Sequence, residues 1–449
     1  MSGLANTSCF GPFQPESAAI RLPASIDVAI IGAGAAGLSA ARRLMAAGVA
    51  VALLEARDRV GGRAHTVQRE GFGLDLGCGW LHSADENPLA VLGREAGFTV
   101  DETPPPWWQQ AFNLGLTPAE QAQFGQAWSD FEDRVARAAE GGQDHPASDL
   151  FLPDDRWNAR MDAISGALNG AAFRDVSTLD QAAYGDTGVN WRVVEGYGTL
   201  VSALGDGVPV VLNCPVERID RTGPVLKIDT ARGRIEARAV VLTLPTSVLA
   251  SEAVRFDPPL HELVEAAAGA PLGLATKLFL AVDGAGDFPP DSQLWGKTDT
   301  AQTGGYHLRP FGRPMIEAYF GGDLARGLEG EGEAAIVDFA VAELGDLLGS
   351  AMRRRLQPLA TSMWGVDPFA LGAYSHALPG QGDPETGARA QLARPVEDRI
   401  FIAGEATSPT AFGTAHGAWQ EGNRAAIEVL TALGVDPRLS SPLETMSAR

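Results

Sequence analysis

Lysine, cysteine and long apolar runs are scarce in this chain. Of its 35 basic residues only Lys227, Lys277 and Lys297 are lysine, which makes each lysine position informative. The three cysteines are far apart and odd in number, which argues against a disulfide framework and favours a reducing compartment. No run of about 18 apolar residues occurs, so we expect a cytoplasmic protein without a membrane-spanning helix.

Positive charge is also in deficit. The 35 Lys and Arg residues face 56 Asp and Glu residues, which gives a formal net charge of −21. So acidic a chain is a poor partner for nucleic acid, and we expect none. An acidic surface concentrates cations and so favours a cationic substrate, although the same charge would equally serve solubility. At 449 residues the chain is long enough for two or three domains.

What the chain does have, near its start, is a glycine-rich motif between two apolar runs. The first run covers residues 28–31, an Ala/Leu-rich helix pattern follows to about Ala47, and a second run covers residues 49–54. The glycines that separate the first run from the helix pattern are Gly32, Gly34 and Gly37. This order predicts a strand, turn, helix and strand that bind a dinucleotide, with phosphates at the helix N-terminus.

Each residue of this motif has a physical role. Gly32 allows a tight turn, Gly34 lets the backbone approach a pyrophosphate, and Gly37 lets the helix pack on the strand. Glu55 follows the second apolar run, where its carboxylate can bind both hydroxyls of an adenosine ribose. The motif alone does not distinguish FAD from NAD.

The next segment favours FAD. Residues 57–63 resemble the second signature of FAD-dependent oxidoreductases, and their predicted cofactor contacts are Arg57, Gly62 and Arg63. In that signature a Gly-Gly turn lets the chain pass the pyrophosphate, and an arginine neutralises it. A solvated charged loop would not by itself require the two glycines.

Alternating glycines in residues 71–82 predict a backbone that lies against something flat or close. We therefore place Gly77 and Trp80 among the cofactor contacts. Val216, which follows Pro215 in a predicted strand, is included with them.

Later segments predict the fold class. Residues 235–244 are typical of a buried strand in a doubly wound sheet, whereas residues 275–282 and 315–320 alternate like antiparallel strands. Helical patterns cover residues 117–140 and 157–168. We predict an α/β protein with a Rossmann-like, glutathione-reductase-type FAD-binding domain and a second α+β substrate domain built on an antiparallel sheet.

The chain resembles the flavin-containing amine oxidases, which include monoamine oxidases, polyamine oxidases and flavin-dependent histone demethylases. The resemblance runs from about residue 26 to 430. It rests on the N-terminal motif, residues 242–249 (LTLPTSVL), Lys277, and residues 402–407 (IAGEAT) and 413–419 (GTAHGAW). The form GTAHGA is more similar to the polyamine oxidase and demethylase branch than to monoamine oxidases.

The resemblance implies an FAD domain assembled from three stretches. A flexible lead is predicted for residues 1–25, which lack the basic start and apolar core of a signal peptide, and a tail for residues 436–449. We assign the rest to an FAD-binding domain (26–85, 196–260 and 395–435) and a substrate-binding domain (86–195 and 261–394).

The C-terminal motif adds further predicted cofactor contacts. Glu405 follows a strand, where an acid can bind the ribityl or pyrophosphate region. The helix that opens at Thr414 and Ala415 would direct its positive end at the flavin pyrimidine ring. Monoamine oxidases carry, at the position of Ala373, a cysteine bonded to flavin, so we expect the FAD here to be non-covalent.

Lys277 is a predicted catalytic residue. A lysine in an apolar strand is uncommon, and the alternative is an edge-strand residue with its head in water. In the family, a lysine at this position holds a water against flavin N5 and helps oxygen react with reduced flavin. Arginine would be a poor substitute because it is bulky and keeps its proton.

Trp364, Tyr374 and His82 complete the predicted catalytic set. Residues 364–374 match the segment that lines the family's flavin and substrate cavity, and Tyr374 matches one wall of its aromatic cage. The opposite wall falls at Thr414, which is not aromatic and leaves room for a different amine. His82 matches a position near the cavity in polyamine oxidases, with a structural histidine as an equal alternative.

The resemblance implies amine oxidation. Hydride passes from the α-carbon of a neutral amine to flavin N5, the imine is hydrolysed to an aldehyde, and O2 becomes H2O2. Polyamines fit both the resemblance to the polyamine oxidase branch and the acidic net charge. Trp107 and Trp108, which lie in a predicted linker or lid, could equally receive an aromatic or alicyclic amine. The expected partners are a small amine and O2, in a monomer or homodimer without a metal.

Three alternatives remain. An L-amino acid oxidase would need a cation for the substrate carboxylate, and the sequence does not show whether an arginine faces the cavity. A flavin-dependent desaturase would not need Lys277. A non-catalytic flavoprotein scaffold is the alternative from outside the enzymes.

Overall fold

The computed structural model describes residues 22–108 and 110–439. Its strands are β1 (Ser25–Ile31), β2 (Val51–Leu54), β3 (Thr66–Arg69), β4 (Phe72–Asp75), β5 (Val100–Asp101), β6 (Arg192–Val193), β7 (Val210–Val211), β8 (Val216–Asp220), β9 (Leu226–Thr230), β10 (Gly233–Leu242), β11 (Arg255–Asp257), β12 (Leu272–Gly273), β13 (Ala275–Val282), β14 (Ser292–Trp295), β15 (Gly305–Leu308), β16 (Met315–Gly321), β17 (Leu356–Thr361), β18 (Tyr374–Ser375) and β19 (Ile400–Ile402).

The helices are α1 (Ala35–Ala46), α2 (Pro88–Glu95), α3 (Pro118–Glu140), α4 (Asn158–Asn169), α5 (Thr178–Ala183), α6 (Tyr197–Ala203), α7 (Thr246–Ala250), α8 (His261–Gly269), α9 (Gly322–Glu331), α10 (Glu333–Leu348), α11 (Ala388–Leu392) and α12 (Ala415–Ala432). Short 3-10 turns cover Ala147–Leu150, Phe173–Asp175, Ala285–Asp287, Pro310–Gly312, Ser350–Arg354, Glu405–Thr407 and Pro437–Leu439.

The first sheet carries the nucleotide-binding unit. Its strand order is β11-β8-β9-β10-β1-β2-β7, and β19 also pairs with β10. The central strands β2, β1, β10 and β19 run parallel, whereas β9 is antiparallel to both β8 and β10. Val28 to Ile31 are all buried, as expected for a parallel strand covered on both faces. The predicted α/β class is confirmed.

The second large sheet is antiparallel, with the order β14-β15-β16-β13-β17. Its register aligns Trp295 with Gly305, Gly305 with Tyr319, and Tyr319 with Lys277. Residues directly opposite each other point to the same face of a sheet. These four residues therefore form one row across a single face, and that row positions the candidate site.

Helices α3 and α4 pack beside this sheet. Thr117 and Glu120 form a capping box at the start of α3, which matches the predicted helix start. Phe124 and Trp128 of α3 join Trp295 of β14 in one buried aromatic cluster. The tertiary contact between these helices and β14 closes one side of the cavity described below.

Some predictions fall outside what the structure describes. Residues 1–21, most of the predicted lead, and residues 440–449, most of the predicted tail, lie outside the described ranges. The domain boundaries given above stay a prediction. Within residues 22–108 and 110–439, no helix is long and apolar enough to cross a membrane.

Candidate active site

One cavity of about 1280 Å³ extends from the first sheet to the antiparallel sheet. At one end it is lined by the nucleotide motif, including Gly32, Gly34 and Glu55, and at the other by Lys277 and Tyr374. The predicted site residues that line it are Gly32, Gly34, Glu55, Arg57, Gly62, Arg63, Gly77, Trp80, His82, Val216, Lys277, Trp364, Tyr374, Glu405, Thr414 and Ala415. Gly37 is the one predicted site residue that does not line the cavity.

Two glycine turns meet at the first end. Gly32 has φ +104°, and Gly62 has φ +59°, so both occupy backbone conformations that favour glycine. A Cβ on Gly62 would lie 3.1 Å from the Cα of Gly34, so the two turns touch through their backbones. A Cβ on Gly37 would lie 1.9 Å from the carbonyl oxygen of Gly32, which explains its place beneath the turn. This bare backbone surface fits a pyrophosphate.

Glu55 organises the same turn. Its carboxylate accepts hydrogen bonds from the amides of Ala33 at 2.7 Å and Arg57 at 2.9 Å. Each oxygen keeps a further lone pair for a ribose hydroxyl. The guanidinium of Arg57 pairs with Asp367 at 2.8 Å, so part of its charge is already neutralised.

The carboxylate of Glu405 is bound by other residues of the protein. It pairs with Arg63 at 2.9 Å and accepts hydrogen bonds from the hydroxyl of Ser375 at 2.6 Å and the amide of Gly413 at 2.8 Å. Burial alone would raise the pKa of Glu405, but Arg63 and Arg389 lower it below its ordinary value. Glu405 therefore orients Arg63 on the cavity wall, a role that the sequence did not indicate.

The glycines of residues 71–82 have protein backbone as their close neighbour. A Cβ on Gly73 would lie 2.5 Å from the carbonyl oxygen of Glu195, and one on Gly77 would lie 1.7 Å from that of Arg63. The close approach inferred from these glycines is therefore explained by packing within the chain. Trp80 lies against Trp107, with ring centroids 4.8 Å apart, and against His307.

Lys277 lies in the interior of the antiparallel sheet, because β13 is flanked by β16 and β17. This position excludes the edge-strand alternative. Its ammonium group is 2.9 Å from the carboxylate of Glu317, and its side chain is almost fully buried. Burial alone would lower the pKa of Lys277, but Glu317 and Asp75 raise it above its ordinary value. Lys277 is therefore protonated at neutral pH.

Tyr374 and Tyr319 form an aromatic pair beside Lys277. Their hydroxyl oxygens are 3.0 Å apart, and the Tyr374 hydroxyl also donates to the carbonyl oxygen of Ala167 in α4. Thr414 does not mirror them across the cavity, because its hydroxyl caps α12. It donates to the carbonyl oxygen of Ala411 at 2.6 Å and accepts from the amide of Gly417 at 3.0 Å.

Trp364 and His82 are held by polar contacts. The indole N–H of Trp364 donates to the carbonyl oxygen of Leu76 at 2.8 Å. Nδ1 of His82 lies 2.6 Å from the side-chain oxygen of Asn190, and burial lowers the pKa of His82 despite the nearby Asp186. Both side chains line the cavity, and neither brings a positive charge to it at neutral pH.

The Trp107–Trp108 segment is part of the cavity wall. The carbonyl oxygen of Trp107 accepts a hydrogen bond from the indole of Trp295 at 2.9 Å, whereas Trp108 is 56% exposed. This anchors one tryptophan and leaves the other at the surface. Whether the segment moves as a lid stays a prediction.

Sequence reasoning missed Glu317, Tyr319 and Arg160, which all line the cavity. Glu317 and Tyr319 alternate in the predicted strand 315–320, so their shared face was readable, but their pairing with Lys277 depends on strand register. Arg160 lies in α4, and its contact with β14 is a tertiary feature without a local sequence signal.

The site can therefore hold a flat, phosphate-bearing cofactor at the glycine turns and a small organic molecule beside Lys277. The sequence model described as flavin containing amine oxidoreductase matches residues 35–131 and 108–430 of the chain. The chain belongs to the flavin-containing amine oxidoreductase family. As a family member it is an enzyme that binds a flavin.

Similar proteins cover nearly the whole chain. Probable polyamine oxidase 4 of Arabidopsis thaliana is 30% identical over 438 residues, which cover 88% of this chain and 85% of the relative. Lysine-specific histone demethylase 1 homolog 2 of Oryza sativa subsp. japonica is 28% identical, and the match covers 95% of this chain but 59% of the relative. A putrescine oxidase redesigned in its cofactor binding has a similar fold, with a TM-score of 0.72, 20% identity, and coverage of 91% of this chain and 99% of its own.

Proposed function

We propose that this family member is an amine oxidase with a non-covalent FAD. The overall change is RCH2NH2 + O2 + H2O → RCHO + NH3 + H2O2. Bound FAD would accept the hydride from the amine carbon and pass the electrons to O2. The observation that carries the proposal is the single cavity that joins the glycine turns to the buried pair of Lys277 and Glu317.

The chain's own residues would position the reactants. Gly32, Gly34 and Gly62 would accommodate the pyrophosphate, and Glu55 the ribose. Tyr319 and Tyr374 present aromatic surface to the amine end of the cavity. A neutral amine is needed for hydride loss, so reduction should accelerate with rising pH through the pKa of the bound substrate.

Non-covalent attachment is supported by Ala373, which offers no thiol at the position where monoamine oxidases carry a cysteine. Cys78 and Cys214 also line the cavity. Burial raises the pKa of the Cys78 thiol to about 12, so it stays protonated and unreactive. With alanine at position 373, acid precipitation should release all of the flavin into the supernatant.

The names of the relatives favour diamines or polyamines as substrates, and the formal charge of −21 is compatible with that class. A cytoplasmic location and a monomeric or homodimeric state stay predictions. The test is anaerobic mixing of the purified yellow protein with spermidine, spermine, putrescine, tryptamine, benzylamine and L-amino acids while the flavin absorbance is followed. Bleaching by any of the amines supports the proposal, whereas bleaching by L-amino acids alone contradicts it.

A further inference from the structure

Arg160 is a buried cation that faces the cavity without an acidic partner. It is 6% exposed, and its Nε is buried without a hydrogen-bond partner. In the described part of the chain no carboxylate forms an ion pair with its guanidinium, although the protein has 56 acidic residues. Glu132, the acidic residue of α3 on the same wall, is not paired with it either.

Aromatic rings hold the guanidinium in place. Its central carbon lies 3.7 Å from the ring centroid of Trp295 and 4.6 Å from that of Phe124. Stacking of this kind fixes the plane of an arginine but satisfies none of its N–H donors. Burial lowers the pKa of Arg160 to about 9, so the group still carries its charge at neutral pH. The unused donors leave a site for an anion.

The distance from the Arg160 guanidinium to the amine end of the cavity, at Tyr319 and Tyr374, can be measured along α4 and across the antiparallel sheet. Ala167, whose carbonyl oxygen accepts from Tyr374, lies seven residues after Arg160 in α4, or about 10 Å along the helix. Because side chains tilt toward the helix N-terminus, the guanidinium points away from Ala167. In the sheet, Trp295 is two strands from Tyr319 in the same row, again about 10 Å.

Part of the surface between the two ends is apolar, although the side-chain amide of Gln293 borders it, 3.3 Å from where a Cβ on Gly305 would lie. Gly305 stands between Tyr319 and Trp295 in the row and adds no side chain to the cavity floor. Ala163 and Ile164 lie one turn after Arg160, between it and Ala167, and both line the cavity. This stretch fits a hydrocarbon spacer better than a second ammonium group.

We propose that the amine substrate carries a carboxylate, which Arg160 binds, separated from the reacting amine by an apolar spacer of roughly eight bonds. The proposal rests on the proposed amine oxidation, and it replaces the diamine or polyamine class that the relatives' names favour with a class of amino carboxylates. A single guanidinium matches one carboxylate in charge and geometry. The product would be an aldehyde that keeps the carboxylate.

The distance between Arg160 and the amine end distinguishes such amino carboxylates from α-amino acids and from diamines or polyamines. In an α-amino acid the carboxylate is attached to the reacting carbon, so it could not reach Arg160 while the amine lies beside Tyr374. In a diamine or polyamine the distal end is a cation, which Arg160 would repel. An ω-amino acid of medium chain length meets both conditions.

The test compares 8-aminooctanoate, 1-aminooctane and 1,8-diaminooctane as reductants of the flavin in the anaerobic holoenzyme. We expect 8-aminooctanoate to have the highest second-order rate constant for reduction. In Arg160→Gln this constant should fall by about 10–100-fold, the effect of losing a charge-assisted hydrogen bond, while that of 1-aminooctane changes by less than about 3-fold. Arg160→Lys should restore part of the loss.

The matched control is Arg156→Gln, which removes the same charge four residues earlier, before α4 begins, where the side chain is 58% exposed. Octanoate, which lacks the amine, provides a measurement that does not depend on turnover. It should bind the wild-type holoenzyme in calorimetry and bind Arg160→Gln at least about 10-fold more weakly.

Three results would overturn the carboxylate site. The first is faster reduction of the flavin by 1-aminooctane or the diamine than by 8-aminooctanoate. The second is an equal effect of Arg160→Gln on the rate constants of all three compounds. The third is octanoate binding that is equally tight in the wild type and in Arg160→Gln. A flavin that is bleached neither by these three compounds nor by the amines of the first panel would instead count against amine oxidation itself.

Discussion

At the scale of single residues, the buried lysine is the feature with the clearest chemical meaning. Lys277 is surrounded by Glu317 at 2.9 Å and by the carboxylate of Asp75, whose own pKa burial raises. The lysine nitrogen also lies close to Gly79, where a Cβ would be only 2.9 Å from it. Its charge is thus fixed by its neighbours.

Glu317→Gln should lower the pKa of Lys277, because burial then acts against one carboxylate instead of two. If the charged lysine promotes the reaction of reduced flavin with O2, reoxidation should slow at high pH, and the variant should show this slowing at lower pH than the wild type. Stopped-flow reoxidation across pH 7–11 measures it. Lys277→Met is the comparator and should be slow at every pH. Identical pH profiles for Glu317→Gln and the wild type would refute the coupling.

At the scale of elements, the turn between β1 and α1 depends on backbone contact. Gly37 lies on α1 directly against the carbonyl oxygen of Gly32, and Gly62 approaches Gly34 from the next loop. The predicted strand–helix–strand unit and the glycine positions were readable from sequence because each glycine answers a local steric demand. The contact between the two turns was not, since it joins separate loops.

Gly37→Ala should destabilise the protein by about 1–3 kcal/mol and lower its flavin content, because a methyl group would lie 1.9 Å from the oxygen of Gly32. Gly125→Ala in α3 is the matched control, since a Cβ there meets nothing within 4 Å. That change should stabilise by about 0.5–1 kcal/mol through helix propensity. Thermal melts and flavin-to-protein absorbance ratios measure both effects. Equal melting temperatures for the two variants would contradict the steric argument.

Strand register limits what the sequence can predict of the site. The alternation in residues 275–282 and 315–320 predicted antiparallel strands, and the structure has β13 and β16 there. It could not show that Tyr319 faces Lys277 or that Trp295 ends the same row, because pairing is set by long-range contacts. The sequence likewise could not distinguish Arg160 from the other arginines, because its place in the cavity depends on the packing of α4 on β14.

At the scale of the whole molecule, buried histidines make stability sensitive to acid. His376 and His416 are buried, and burial lowers the pKa of each to about 4. The unfolded chain binds these protons below about pH 6.5, whereas the folded protein does not until about pH 4. Their contribution is therefore complete above about pH 6.5 and is lost as the pH falls toward 4.

His376→Gln should reduce the decrease in melting temperature between pH 7 and pH 5. The reason is that one proton fewer is taken up on unfolding. His261→Gln, at an exposed position, serves as the control and should leave the decrease unchanged. Calorimetric scans at half-unit pH intervals compare the three proteins. A His376→Gln protein with the wild-type slope would show that this histidine does not contribute to acid sensitivity.

The contact between α1 and α12 has a consequence for how the chain is made. A Cβ on Gly422 would lie 2.0 Å from the carbonyl oxygen of Ala36, and β19 supplies a late strand beside β10. A chain emerging from the ribosome must therefore wait for residues 400–432 before its first helix finds its packing partner. During that interval the apolar face of α1 needs protection, so expression should benefit from abundant chaperones.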